Sequence, residues 1–387
     1  MKNKMIVTIT ILVCIGAVAF LINLLTKSVI ARKHFAEKPL SPQILDSTEF
    51  SRMMESINME NMKSLKELES FQNEELGMVV ALSEAPDRNI LQAVYENGIL
   101  VQYDLITQKI ITSESLFARQ FNPDVPLPVY KLNSGINFNR DGSLLIAPTN
   151  VVNNRLHGEV VWNTNRKSIT LKTENYDFQA LQLHPIQDTS FIVFEETDDV
   201  SYRLGVGSKF VGGGMLAVER YNVANLTRIA LDPNGDYLAA VDINGSIIIG
   251  DVSTFSGQEG FFEYGTLYRL LGYAGKDIVT VDLEFDDTHS WLGWLTDEKL
   301  VVWSLRNYAF PLEFKTNIKD AKALAFDHTG KILAVATQNG IKIFDVEKGK
   351  QIIDYSVGDV TTLYFTRDNR LLVWGDANGN VHLWGVK

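Results

Sequence analysis

Apolar and polar residues alternate along most of the chain after residue 64, in short runs broken by glycine, asparagine and aspartate. Residues 321–346, AKALAFDHTGKILAVATQNGIKIFDV, show the unit. An alternating strand runs through Phe326 to a turn ending at Gly330, an apolar strand spans Ile332 to Ala336, and Asn339-Gly340 leads into a further alternating strand to Phe344. The frame recurs at 229–251 and 360–386. In all three copies ten residues separate the turn position (Gly235, Gly330, Asn369) from the glycine of the Asn-Gly pair (Gly245, Gly340, Gly379). A fourth pair, Asn97-Gly98, has Leu91 seven residues before its glycine, as Leu238, Leu333 and Leu372 stand before theirs. Period-two alternation on both sides of Asn-Gly predicts antiparallel hairpins, and type I′ turns in them, because such a turn needs φ > 0 at both central residues.

The strand after each hairpin ends at Tyr103, Trp162, Leu204, Gly250, Trp303, Phe344 or Trp384, at intervals of 59, 42, 46, 53, 41 and 40 residues. Seven units near 40 residues predict an all-β, seven-bladed β-propeller over residues 64–387. The wide intervals coincide with the Pro-rich stretch 121–130, a long hairpin loop from Asn150 to His157, and an aromatic insertion from Phe255 to Tyr273. The repeats resemble the WD-repeat family, in which a third strand closes on an aromatic followed by an acid, as Phe344-Asp345 and Tyr103-Asp104 do. No Trp-Asp dipeptide occurs and no Gly-His pair precedes a first strand, so that family's buried His and Asp network does not carry over. The seventh unit stops at Lys387 directly after its third strand, which leaves an edge open. A strand from residues 64–71, SLKELESF, would complete that blade, and the resemblance implies closure of this kind.

Ahead of the repeats, Met5 to Leu25 is 21 residues without a charge, long enough at ~1.5 Å per residue to cross a ~30 Å hydrocarbon core as a helix. Residues 1–38 are therefore expected to form a single-pass membrane anchor with a basic flank. A cleaved signal peptide ending near Ala17-Val18-Ala19 competes, but the apolar run continues through Phe20-Leu21-Ile22 and Leu24-Leu25. Lys27, Arg32, Lys33 and Lys38 after the helix favour a cytoplasmic body, whereas long domains translocate largely regardless of charge. The lean is toward a propeller on the exported, periplasmic or lumenal, side. Residues 39–63 form a linker in which Asp46 and Glu49 make a capping box for a short helix. Phe50, Met53, Met54 and Ile57 then fall on one side of it, either lying on their own domain or making a methionine-rich face for a partner.

Charge sharpens the division. The chain holds 36 basic and 47 acidic residues, and six of the basic but only Glu37 of the acidic lie in the first 40, so the body is strongly acidic and should repel nucleic acid. Cys14, the only cysteine, lies in the apolar run, which excludes a disulfide framework, a cysteine-ligated zinc site and a thiol nucleophile from the body. Its absence elsewhere suits an oxidising compartment. The six histidines are scattered and make no local metal pair, and His328 reads as a solvent-facing turn residue. Asp232, Asn234 and Asp236 imitate the opening of a calcium loop, but Tyr237 replaces its glycine, so they read as a hairpin turn. No cofactor or catalytic signature is found. The leading expectation is a membrane-anchored, non-catalytic scaffold or subunit of a membrane complex, contacting membrane-complex proteins and, through 5–25, the bilayer. Phe261, Phe262 and Tyr264 of the aromatic insertion join the linker residues as candidate partner contacts, although an outer strand with its packing is the preferred reading of that insertion. A propeller enzyme, or a small-ligand sensor, with its site at the central channel is the alternative.

Overall fold

The computed structural model describes residues 54–87, 89–116, 279–305 and 313–387, and between 136 and 273 chiefly the strands. A strand β1 (Lys66–Phe71) precedes seven antiparallel sheets built in chain order. The first sheet is β2 (Val79–Glu84), β3 (Ile90–Tyr95), β4 (Ile99–Asp104) and β5 (Lys109–Ser115). The second is β6 (Asn137–Phe138), β7 (Leu144–Pro148), β8 (Val151–Val152), β9 (Arg155–Asn163) and β10 (Ser168–Phe178), with β8 making an extra hairpin on β9 where a plain loop was expected. The third is β11 (Ala180–Leu183), β12 (Thr189–Glu195), β13 (Tyr202–Ser208) and β14 (Met215–Tyr221), and the fourth β15 (Leu226–Leu231), β16 (Tyr237–Asp242), β17 (Ser246–Asp251) and β18 (Leu267–Tyr273). The fifth comprises β19 (Thr280–Phe285), β20 (Trp291–Thr296), β21 (Lys299–Ser304) and β22 (Glu313–Asn317), and the sixth β23 (Ala321–Phe326), β24 (Ile332–Thr337), β25 (Gly340–Asp345) and β26 (Lys350–Tyr355). The seventh is β27 (Val360–Phe365), β28 (Leu371–Asp376) and β29 (Val381–Gly385), and its fourth strand is β1.

The seven repeat anchors all fall in third strands, and each is paired across to the second strand. Leu91 faces Tyr103, Leu145 Trp162, Leu238 Gly250, Leu292 Trp303, Leu333 Phe344 and Leu372 Trp384, with Val193 opposite Leu204. Cross-strand pairs of this kind are the unit of sheet stabilisation. Because successive residues of a strand point to opposite faces, the sixth and seventh sheets each feed two cores. Leu372 and Trp374 pack on the sixth sheet while Leu371 and Val373 pack on the first; Leu333 and Val335 meet the fifth sheet while Ile332 and Ala334 meet the seventh. First strands of neighbouring sheets lie side by side, and β27 lies against β2 as well as β23. The architecture is all-β and propeller-like.

Both ends of the chain share one sheet. The strand expected within 64–71 is β1, antiparallel to β29 from Lys66 opposite Gly385 to Phe71 opposite Val381. His382 adds a tie, with Nδ1 2.7 Å from Glu67 Oε1 and its ring stacked on Trp374. Ahead of β1 the chain crosses the same sheet as an extended strap. Glu55 N–H donates to Val386 O at 2.8 Å and Ile57 N–H to Asn369 O at 2.7 Å, before a 3-10 turn at Met62–Ser64.

The strap corrects the linker reading. The backbone at Met54 and Ile57 is not helical, and their side chains are buried in two different cores, Met54 between the seventh and first sheets and Ile57 between the sixth and seventh. Spacing of three residues fits a helix face, but it also fits an extended segment that drops one residue into each core. Phe50, Met53 and the expected membrane segment 5–25 lie outside the described residues, as do Phe261, Phe262 and Tyr264. Among the described residues no helix is long and apolar enough to cross a membrane.

The hairpin turns differ from type I′. At Asn97-Gly98, Asn339-Gly340 and Asn378-Gly379 positive φ falls on the glycine alone, at 77°, 142° and 87°. Gly98 N–H donates back to Tyr95 O, which makes glycine the last residue of a turn rather than a central one. Side chains hold this geometry: Thr337 Oγ1 accepts from Asn339 N–H and donates to Gly340 O, and Asp376 Oδ1 accepts from Asn378 and Asn380 N–H. A Cβ on Gly340 would stand 1.8 Å from Tyr355 O.

Two outcomes follow. Gly340→Ala should cost about 1–3 kcal/mol or more through backbone strain and this close approach, whereas Asn339→Ala, exposed and with ordinary φ, should stay within about 0.5 kcal/mol; paired urea melts measure both. A chain beginning at residue 76 should also aggregate and melt far below one beginning at residue 54, because removing β1 exposes the unpaired ladder of β29. Equal melting temperatures would show that β1 contributes nothing to the sheet.

Candidate functional site

The turns between first and second strands share a polar residue at one register position. Asn139, Asp232, Asp286, Asp327 and Thr366 each accept, through a side-chain oxygen, the backbone N–H five residues on, at 2.6 to 3.0 Å. Three residues after this cap, Gly142, His289, Gly330 and Asn369 take φ between 55° and 68°. Asparagine and glycine tolerate that conformation, and histidine is held there by its surroundings. The left-handed residue of one turn then leans on its predecessor. His289 Nε2 is 2.8 Å from Asp232 Oδ2, Asn369 Nδ2 donates to Asp327 Oδ2 at 3.2 Å, and a Cβ on Gly330 would be 2.2 Å from Asp286 Oδ2. These contacts form a belt of polar joints on the turn face.

Ionisable groups gather along this belt from the fifth sheet to the first. Phenylalanine occupies the position before the cap in four sheets (Phe138, Phe285, Phe326, Phe365), whereas the first sheet has Glu84 there, 1% exposed. Its Oε2 accepts from Arg367 N–H at 2.7 Å, Arg367 Nε at 3.2 Å and Tyr364 OH at 3.3 Å, and Arg367 also donates to Ala85 O. Burial pushes the Glu84 carboxyl above its usual range in spite of Arg367. Burial likewise raises Asp286, against the hydrogen bonds it accepts from Thr288, Trp291 and Ser290. Glu284 is raised well above the carboxylate range, first by burial and then by Asp282 and Asp287.

His328 joins the fifth, sixth and seventh sheets. Its Nδ1 meets Asp287 Oδ2 and its Nε2 lies 3.2 Å from Phe365 O. Both partners are acceptors, and only the protonated ring donates from both nitrogens. Burial alone would lower its pKa, but Asp287, the Phe365 carbonyl and Glu84 outweigh it and the net shift is upward. A solvent-facing turn histidine was expected here; the structure makes it a joint instead. Asp232 caps its own turn through Asn234 and Tyr237 N–H, the hairpin role expected of it. Among the described residues no group of three acidic, histidine or cysteine side chains could hold a metal.

Sequence reasoning missed Glu84 and Arg367. The available signal was an acid at a register position that other units fill with phenylalanine, but its partner lies 283 residues away. Of the candidate contacts, Met54 and Ile57 are internal and sit in different cores, and the other five lie outside the described residues.

With this geometry in hand, the comparisons define the class. Residues 296–368, from the end of β20 into the turn after β27, match the family described as Anaphase-promoting complex subunit 4 WD40 domain. The chain is also similar to the β-propeller domain of Cps50 (Swd1) from Myceliophteria thermophila, at 14% identity and a TM-score of 0.59, over 84% of this chain and all of that one. The chain is a WD-repeat-like β-propeller in fold. No curated protein matches it in sequence. In all, 1664 solved chains match, so the likeness selects an architecture and not an activity.

Two measurements test the joints. Arg367→Met should cost about 3–5 kcal/mol by stranding a buried carboxylate, and adding Glu84→Gln should recover part of that loss; a double variant no better than the single would show that the pair is not coupled. For His328, a raised folded pKa means stabilisation that is complete below the unfolded value of about 6.5 and is lost as pH rises through the folded one. The stability difference between the parent and His328→Gln, from urea melts between about pH 5 and 9, should therefore be largest at the acid end.

Proposed function

We propose that this protein is a non-catalytic interaction scaffold: a seven-bladed propeller whose faces bind protein partners and whose segment 5–25 tethers it to a membrane as a subunit of a membrane complex. The observation that carries the non-catalytic part is the state of the ionisable belt. Glu84 is engaged by Arg367 and Tyr364, His328 by Asp287 and a carbonyl, and Asp286 by three backbone N–H groups. A general acid or base needs a proton to exchange with substrate, and groups tied up in joints between sheets are poorly placed to do so. Perturbed carboxyls in a repeat fold mark the cost of burying inter-sheet ties as readily as they mark a catalytic centre.

Membrane tethering rests on the length and apolarity of residues 5–25. An exported propeller fits the absence of cysteine after Cys14. WD-repeat-like folds offer broad faces for protein partners, which supports the scaffold reading. Chemical cross-linking in intact membranes followed by detergent extraction tests it: the chain should be recovered in an assembly heavier than its 43.4 kDa monomer. Recovery only as a monomer across several detergents would overturn the subunit reading, and release of the full chain by carbonate washing would overturn the tether.

A further inference from the structure

We propose that the outer rim of the first sheet, formed by Ile106, Ile110 and Ile111, rests against the lipid surface to which the chain is tethered. The inference depends on the membrane-tethered reading above and adds an orientation to it. Among the described residues these three are exposed at 48%, 50% and 46%, and the only other large apolar side chain so exposed is Val279 at 61%.

The rim is a departure from the chain's own repeat. Asp104 and Asp345 close equivalent third strands, and each caps the turn that follows, Asp104 through Ile106 and Thr107 N–H and Asp345 through Lys348 N–H. Both turns lead into a fourth strand with a bulge at the same place, Tyr103 opposite Ile110 with Gln102 opposite Thr112, and Phe344 opposite Gln351 with Ile343 opposite Ile353. The sixth sheet therefore presents Glu347 and Gln351 where the first presents Ile106 and Ile110. Ile352, the counterpart of Ile111, is packed against the core that includes Ile57 and Met62 of the strap. Among the described residues Ile111 has no such cover, and it is 46% exposed. Ile110 and Ile111 are neighbours in the strand and both about half exposed, which the interrupted alternation at the bulge permits.

Topology places the rim on the side from which the tether arrives. In an antiparallel four-stranded sheet the first and third turns share one end, and Leu105 N–H bonded to Asn89 O at 2.7 Å fixes this for the first sheet. The strap meets the same face in the neighbouring sheet, where Arg370 Nη1 donates to Met54 O and Asn369 Nδ2 to Ile57 O. Leu105 and Met54 belong to one core. A membrane segment ending at Leu25 leaves residues 26–53 as the connection, and a tether of that kind raises the local concentration of lipid enough for a small apolar rim to engage. Lys109, between Ile106 and Ile110, can keep its ammonium in the headgroup layer while its stem lies on lipid. The acidic body argues for a zwitterionic surface. Val279 immediately precedes β19, at the opposite end of a sheet, and should remain in water.

The test uses the full chain carrying Cys14→Ser, reconstituted in phosphatidylcholine vesicles, with an environment-sensitive fluorophore on Ile110→Cys, Ile106→Cys or Val279→Cys. Lipids brominated near the headgroup should quench positions 110 and 106 and leave 279 bright, while aqueous iodide should quench 279. Vesicle-bound protein in which 110 and 106 are quenched by iodide alone overturns the rim and leaves the tether standing. Positions reached by neither quencher are covered by protein, whether a partner or the chain's own amino-terminal residues, and that result also overturns the rim. A chain that fails to float with the vesicles at all overturns the tether and the rim together.

Discussion

The described sheets carry apolar residues on both faces, and the need to cover both dictates the rest of the molecule. Ile332, Ala334 and Ala336 of β24 lie in one core and Leu333 and Val335 in another, and β28 divides Leu371 and Val373 from Leu372 and Trp374 in the same way. A sheet of this kind cannot end a stack, because its last face would be left in water. The first and seventh sheets answer the problem by packing on each other, with Val79, Leu82 and Tyr95 against Leu371, Val373 and Leu383. The same need explains why chain ends 310 or more residues apart meet: β1 covers the hydrogen-bonding edge of β29 while Phe71 fills the shared core.

Covering apolar faces does not by itself fix one sheet against the next, and the polar joints supply the register. Two of the joints pair a turn cap with the left-handed residue of the next turn, His289 with Asp232 and Asn369 with Asp327, and their buried carboxylates are compensated by backbone N–H groups of their own turns. The contact between the seventh and first sheets is different. Glu84 takes the place of a phenylalanine and is held by a backbone amide, a guanidinium and a phenol. Replacing an aromatic packing contact by a buried ion pair adds little net stability, since desolvation consumes most of the attraction. It does add direction, because the bonds are satisfied in only one relative placement of the two sheets. The placement falls between the first and last sheets, which the chain joins directly only through residues 72–78, between β1 and β2.

The repeat frame, the seven sheets and the strand that completes the last of them were legible because each depends on local periodicity or on a simple deficit. Leu333 and Phe344 are eleven residues apart and their pairing follows from the Asn-Gly between them. The turn type was not legible, because Asn-Gly serves equally when glycine is the last residue of a turn. The choice is made by Thr337 and Asp376, whose side chains occupy the amides of the loop. The joints were not legible either. His328 looks like any turn histidine until Asp287 and the Phe365 carbonyl, 41 and 37 residues away, are placed beside it. For Met54 and Ile57 helical spacing was a true pattern with a second physical cause, a strap seated across two cores.

The strap gives the turn at residues 366–370 an unusual concentration of roles. Thr366 caps the turn, Arg367 holds the first sheet, Asn369 donates to both Asp327 and Ile57 O, and Arg370 donates to Met54 O. Asn369 can do this because its φ of 57° turns its amide toward the sixth sheet while its carbonyl still accepts Ile57 N–H. Few residues adopt that backbone without strain, and asparagine is among those that do. Any load carried by the chain ahead of Met54 therefore enters the domain at the five-residue turn that also holds the seventh sheet against its two neighbours. A segment joined at an exposed loop tip would leave the sheets mechanically separate from it; the strap shares hydrogen bonds with the joints that set their register.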